Sequence, residues 1–192
     1  CGLVGMKPTY GRVSRYGVVA YASSLDQVGP LCKDVRDCAM IMQTIAGPDP
    51  MDSTCASFAP PDYLAALNKD VRGMKVGIIK ELVHGEGIHA SVKAAVLAAI
   101  EKLAGLGMEV EEVSLPNIDY SLPVYYVIAT AECSSNLAKY DGVRYGHRTA
   151  DDITDIHELF AKTRGEAFGE EVRLRIMLGT YALSAGYRSE ER

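Results

Sequence analysis

Apolar residues recur at helical spacing between residues 91 and 103, where Val92, Val96, Ala99, Ile100 and Leu103 fall on one stripe and Gly105 and Gly107 end the pattern. Residues 74–79 and 108–113 flank this stripe as short, apolar-rich strand candidates. Residues 74–114 therefore predict one βαβ unit with a parallel strand pair and a right-handed crossover. Upstream, Asp34 opens a helix of about three turns that runs through Cys38 to Ala46 and stops at Gly47. Pro61-Asp62 starts a short helix over 63–68. From Pro123, read as a first helical residue, the chain turns helical through Ala138, and two further helices follow over 154–168 and 170–183, separated by Gly169. In the last of them Val172, Ile176, Met177, Thr180 and Leu183 make the expected inner face. The fold class read from this pattern is α/β, a mixed or parallel sheet flanked by helices. One domain over 1–187 is expected, built from an opening segment (1–30), the βαβ unit (74–114) and a helical part (123–187), with 188–192 unassigned.

Residues 1–30 break the periodicity. Their glycines and prolines and the extended run Val18-Val19-Ala20-Tyr21 suit a backbone threading tightly past a site. The expectation is that the chain is an internal piece of a larger protein. A strand edge left open by such a cut would also favour self-association.

Composition narrows the classes. The formal charge of −5 argues against a broad phosphate-binding surface. The longest apolar run, 92–100, is interrupted by Lys93 and far too short to cross a membrane. Five cysteines without a CxxC pair suggest neither a disulfide framework nor a zinc site, which fits a reducing cytoplasm, and Cys38 and Cys133 read as small core residues. Asp49 and Asp52, in a proline-rich loop, read as Asx-turn residues rather than metal ligands. The loop 81–88 lacks GxGxxG, and His84 and His89 read as solvated.

Three features carry candidate chemistry. Glu132 sits in an apolar, small-residue stretch and either faces solvent or needs a partner. Residues 139–148 mix Lys, Arg, Tyr, His and Gly, a composition that stacks on a base or lines a pocket. Arg173 and Arg175 lie about 200° apart on a helix, so one of them reaches inward. That arginine either holds a carboxylate with its planar fork or pairs with Glu170 or Glu171.

The runs Lys7-Pro8-Thr9-Tyr10-Gly11-Arg12-Val13-Ser14 and Ser24-Leu25-Asp26-Gln27-Val28-Gly29-Pro30 resemble the segment that follows the nucleophile in amidase-signature enzymes. The runs from Ala131 to Gly146 and from Arg175 to Ser184 resemble one branch of that family, the A subunits of the bacterial aspartyl/glutamyl-tRNA amidotransferases. The resemblance extends from Cys1 to about Tyr187, and 188–192 depart from it. It implies an amidase-signature fold and a parent that releases ammonia from glutamine. The partners implied are the B and C subunits of a heterotrimer, which would pass that ammonia to Glu-tRNA(Gln) or Asp-tRNA(Asn), with ATP and Mg used by the parent complex and no cofactor assigned to these residues. The resemblance also implies a Ser, cis-Ser, Lys triad lying before Cys1. This chain has no Gly-Gly pair, its Ser-Ser pairs are Ser23-Ser24 and Ser134-Ser135, and Lys7 takes no catalytic role. By itself the chain is therefore expected to be inactive. The same resemblance points to Tyr126, with its neighbour Tyr125, and Arg175 as groups meeting the substrate's polar end. A general amide hydrolase of the same family and a non-enzymatic interaction module are the alternatives.

Overall fold

The two caps legible in sequence set the first elements. In the computed structural model, which describes residues 2–85 and 87–184, the Asp34 carboxylate accepts the Asp37 N–H at 2.9 Å and opens α1 (Val35–Ile45). The Asp62 carboxylate likewise accepts the Ala65 N–H at 2.8 Å and opens α2 (Tyr63–Ala66). The chain divides into two compact units, one made of Cys1–Pro61 and Leu122–Arg192, the other of Asp62–Ser121. Readings that fall on Cys1 and on 185–192, the 188–192 tail included, lie outside the described residues.

The smaller unit is the anticipated βαβ element. Strand β3 (Lys75–Ile79) pairs in parallel with β4 (Glu109–Val113), from Lys75 opposite Glu109 to Ile79 opposite Val113. Between them run α3 (Lys80–Val83) and α4 (Ala90–Gly105). A sheet of two strands with one helix covers little. Val76, Ile78 and Ile79 are half-buried, as are Ile100 and Leu103, whereas Val92 and Val96 stay exposed. Gly77 allows close approach, because a Cβ there would meet both Val113 methyl groups at 3.1 Å.

The larger unit opens with a ribbon that two residues per strand hid from any periodicity. Strand β1 (Val4–Gly5) pairs antiparallel with β2 (Leu31–Cys32), and Met6 N–H bonds the Pro30 carbonyl at 3.1 Å. Residues 18–21 form no strand. Behind the ribbon, Val13, Cys32, Cys38, Ala39 and the fully buried Met42 form one small core, in which the Cys38 thiol reaches the Val4 carbonyl at 3.5 Å.

The second core of this unit is helical. Helix α5 (Ser121–Leu137) begins two residues before Pro123, because the single 3₁₀ turn Ile118–Tyr120 feeds straight into it. In the first turn a missing N–H has no intrahelical acceptor to disappoint, so proline is tolerated there. Ala129, Thr130, Cys133 and Leu137 are its buried positions. Helix α6 (Ile156–Ala167) is capped by Asp155, and its Arg164 donates to the Leu137 carbonyl at 2.9 Å and the Tyr140 carbonyl at 3.1 Å, closing the C-terminal end of α5.

Helix α7 (Glu170–Ala182) follows Gly169, and of its expected inner face only Val172 and Ile176 are covered. Val172, Arg175, Ile176 and Ala182 are half-buried and Gly179 is buried, while Met177 is 69% exposed and Thr180 and Leu183 are exposed. The reason is backbone contact with α5. A Cβ at position 179 would lie 1.9 Å from the Thr130 carbonyl oxygen and 2.9 Å from Ser134 Cβ. Glycine thus lets the two helices touch, and the Ser134 and Thr180 hydroxyls bond at 2.8 Å beside the contact.

After α5 the chain turns on Asp141, a buried carboxylate that accepts the Val143 and Arg144 N–H groups and the Arg144 Nε–H, each at 2.9 Å. Gly142 follows at φ 76°, and a Cβ there would meet Thr163 Cγ2 at 2.6 Å. Those bonds to Arg144 and Val143 hold the Asp141 pKa down at about 2.

Two outcomes follow from this packing. Gly179→Ala should destabilise the protein by about 1–3 kcal/mol, read by denaturant unfolding, because neither backbone can retreat without separating the helices. The Asp141 carboxylate, depressed in the folded state, contributes stability that is present above its unfolded value and lost as pH falls through the folded one. Stability should therefore fall between about pH 4 and pH 2. Asp141→Asn should flatten that part of the profile in pH-dependent unfolding.

Candidate functional site

Within the larger unit, helix α5 presents a polar pair to the opening segment. The Glu132 carboxylate accepts the Ser24 N–H at 3.0 Å and, with its other oxygen, the Ser24 hydroxyl. One turn on, Asn136 Nδ2 donates to the Tyr21 carbonyl at 3.2 Å and to Ser23 Oγ at 3.3 Å. From the segment's own side, Asp26 accepts the Tyr21 N–H at 2.8 Å and the Ala22 N–H at 3.1 Å. Glu132, which needed a partner, has one. Residues 21–24 are tied to α5 from 108 to 115 positions away in sequence, and Ala22 is buried under the tie.

This tie places the Tyr21 ring beside Arg175, whose guanidinium carbon lies 5.9 Å from the ring centroid. Arg175 NH2 also stands 2.9 Å from Glu171 Oε1, the i,i+4 ion pair that was the alternative reading of this arginine. Burial raises the Tyr21 phenol above its ordinary range. The Cys133 thiol raises it further, Arg175 opposes the rise, and Tyr125 and Glu171 add to it. The charges that act on the Tyr21 phenol thus come from both helices, Arg175 and Glu171 of α7 and Tyr125 and Cys133 of α5.

Of the site residues read from sequence, Arg175 lies against Tyr21, and Tyr125 is near enough to act on the Tyr21 phenol electrostatically. Tyr126 joins them through an edge contact with Tyr125, ring centroids 5.3 Å apart, and both rings are about half exposed. Arg173 lies on the exposed side and donates to the Gly165 carbonyl at 3.4 Å. Sequence reading passed over Tyr21. The available signal was Glu132 together with Asn136, two polar residues one turn apart in an apolar helix and therefore facing a common polar partner.

Next to the tie, Arg15 braces the opening segment. Its guanidinium donates to the Ser23 carbonyl and to Thr54 Oγ1 at 2.8 Å and lies 4.7 Å from the Tyr10 ring centroid, and the Tyr10 hydroxyl donates to the same Ser23 carbonyl at 2.9 Å. A cavity of about 270 Å³ opens here, lined by Arg15, Gly17, Val18, Ser23, Asp26 and Asp52. Asp49 and Asp52 make the anticipated Asx turns, accepting the Met51 and Thr54 N–H groups at 2.9 Å. Bonds from Thr54 and Arg15 hold the Asp52 pKa at about 2. Lys7 donates to Gln27 Oε1 at 2.8 Å and to the Pro8 carbonyl at 3.0 Å, and so steadies a turn.

Two of the sequence readings change. In the smaller unit His84 is not merely solvated: its Nε2 stands 3.2 Å from Glu112 Oε1 on β4, a partner that only the parallel pairing brings near. His89 is exposed, as expected, and its Nδ1 lies 2.8 Å from Ser91 Oγ at the start of α4. The mixed run 139–148 is largely occupied with itself. Lys139 lies over Tyr140, Tyr140 meets Tyr145 edge-on at 6.4 Å, and Arg144 is bound by Asp141.

Comparison with known proteins bears on what this arrangement belongs to. The A subunits of the glutamyl-tRNA(Gln) amidotransferases of Rubrobacter xylanophilus and Carboxydothermus hydrogenoformans are 58% and 60% identical to the chain over 187 residues. In each case the match covers 97% of this chain and 38% of the relative. The chain thus spans well under half the length of these curated relatives. The crystal structure of the glutamyl-tRNA(Gln) amidotransferase A subunit of Thermotoga maritima superposes with a TM-score of 0.69 at 43% identity, over 97% of this chain and 35% of that one. The peptide amidase of Stenotrophomonas maltophilia, at 24% identity and a TM-score of 0.65, shares the fold. The family model described as Amidase matches residues 1–192. With an α/β arrangement of the same fold and a match to that model over residues 1–192, the chain belongs to the amidase family.

Proposed function

We propose that these residues form part of the glutamine-hydrolysing A subunit of a tRNA-dependent amidotransferase, whose parent releases ammonia from glutamine. The B subunit of such a complex would use that ammonia to amidate Glu-tRNA(Gln) or Asp-tRNA(Asn), with the small C subunit steadying the pair. The identity of 55–60% to amidotransferase A subunits over 187 residues carries this reading. In it Arg175 holds the α-carboxylate of glutamine, since a planar fork offering two N–H groups matches two carboxylate oxygens. Tyr125 and Tyr126 line the same polar end of the substrate. A bidentate grip of this kind favours amino-acid amides over bare amides, because an amide without the carboxylate leaves the charge unpaired. ATP and Mg belong to the partner's activation step, and no residue of this chain is assigned to them.

The chain by itself is proposed to be inactive. Three of the four serines in its Ser-Ser pairs are engaged elsewhere, Ser24 with Glu132, Ser23 with Asn136 and Ser134 with Thr180, and Lys7 is bonded to Gln27. The hydrolytic serines and lysine belong, in this reading, to the remainder of the parent.

Two measurements test the proposal. The purified chain should release no ammonia from glutamine above a buffer blank, and turnover there would refute the assignment of the triad to other residues. In the full-length protein, Arg175→Ala should lower kcat/KM for glutamine by about tenfold or more while hydrolysis of an aryl amide is retained. Equal loss on both substrates would instead support a general amide hydrolase.

A further inference from the structure

Arg175 is a long side chain on a half-covered helix face, and its ion pair with Glu171 does little to fix it. The Glu171 side chain is 65% exposed, and a solvated i,i+4 pair of this kind contributes little and is screened by salt. The other group against the guanidinium is the Tyr21 ring. That ring stands on a backbone held at both ends of its own peptide units: Asp26 accepts the Tyr21 N–H, Asn136 donates to the Tyr21 carbonyl, and Ser24 three residues on is bound to Glu132. The Arg175 guanidinium carbon therefore lies within cation–π range, 5.9 Å, of the centroid of a ring whose backbone is held in place.

We propose that Tyr21 is a positioning residue for Arg175, a platform that holds the guanidinium plane ready for a substrate carboxylate. The inference rests on Arg175 being the carboxylate fork proposed above, and it adds the element that orients it. The physics is that a guanidinium stacked on a ring keeps its edge N–H groups free while losing rotational freedom, so less freedom is lost when a carboxylate binds. Glu171, by contrast, occupies one of those edge groups. Tyr21 touches no reacting atom in this account. Its effect should fall on substrate binding and leave the chemical step alone.

The test is steady-state kinetics on the full-length amidotransferase assembled with its partner subunits, with glutamine and, separately, with an amide that lacks an α-carboxylate. Tyr21→Leu should raise KM for glutamine about three- to fivefold with kcat nearly unchanged, and should leave the second substrate unaffected. Tyr21→Phe, which keeps the ring face, should rescue KM. Ring fluorines added one at a time to that phenylalanine drain the face of negative potential at nearly constant shape, so KM should climb stepwise with them. A purely structural role is blind to fluorination and would also move both substrates together. A flat fluorine series alongside a strong Arg175→Ala effect on glutamine overturns the platform alone. Arg175→Ala without effect on glutamine removes the carboxylate reading and the platform with it.

Discussion

The larger unit depends on one close approach, that of α7 to α5 at Gly179. The glycine Cα packs against the Thr130 carbonyl at a distance no side chain would survive, and Thr130 itself is buried, its hydroxyl turned back on the Tyr126 carbonyl at 2.5 Å. Once the two backbones touch there, the rotation of α7 is decided. Arg175, one turn before Gly179, must lie on the inner side, and Arg173, two residues earlier, must lie outside. Which arginine faces the opening segment is therefore settled by a glycine and not by either arginine.

The opening segment is attached to α5 by polar groups more than by apolar burial. Ala22 is its one buried apolar residue between positions 20 and 29, whereas Val18 and Val19 are 51% and 62% exposed. In place of a core it has a set of directional bonds: Glu132 and Asn136 from the helix, Asp26 from within, and Arg15 with Tyr10 on the Ser23 carbonyl. Directional bonds fix orientation where hydrophobic contact would only fix proximity. Such bonds orient a stretch that forms no strand over 18–30.

Much of the fold was legible because its signals are local. Asp34 and Asp62 as caps, Gly169 as a break and the parallel pair 75–79 with 109–113 all depend on residues within a few positions of one another or on a regular period. What escaped depends on pairings between distant parts. Two-residue strands have no period to read, so Val4 and Cys32 could be paired only in three dimensions. The inner face of α7 was misread in part because apolar character was taken to mark burial, and Gly179, with no side chain at all, was the buried residue. The candidate site followed the same division. Arg175 and the tyrosine pair stand out in sequence by type, while Tyr21 is brought to α5 through Glu132 and Asn136, more than a hundred residues away.

The charge balance then takes on a specific meaning. In the proposed reading the substrate is glutamine, a zwitterion with no net charge, so the overall field of an acidic chain neither attracts nor repels it strongly. Selection must come from groups at contact distance, one cation for the carboxylate at a fixed orientation. A loosely held arginine would satisfy the charge but not the geometry, and bidentate recognition is worth its full amount only when the fork is already aligned. The acidic neighbour Glu171 sharpens this requirement, since it competes for the same guanidinium whenever the substrate is away. In the proposed arrangement the aromatic ring does not compete, because it attracts the cation through its π face and leaves the N–H groups to the carboxylate. In this proposal Arg175 stands between a rival carboxylate and an aromatic ring, and a substrate carboxylate has only the first of them to displace.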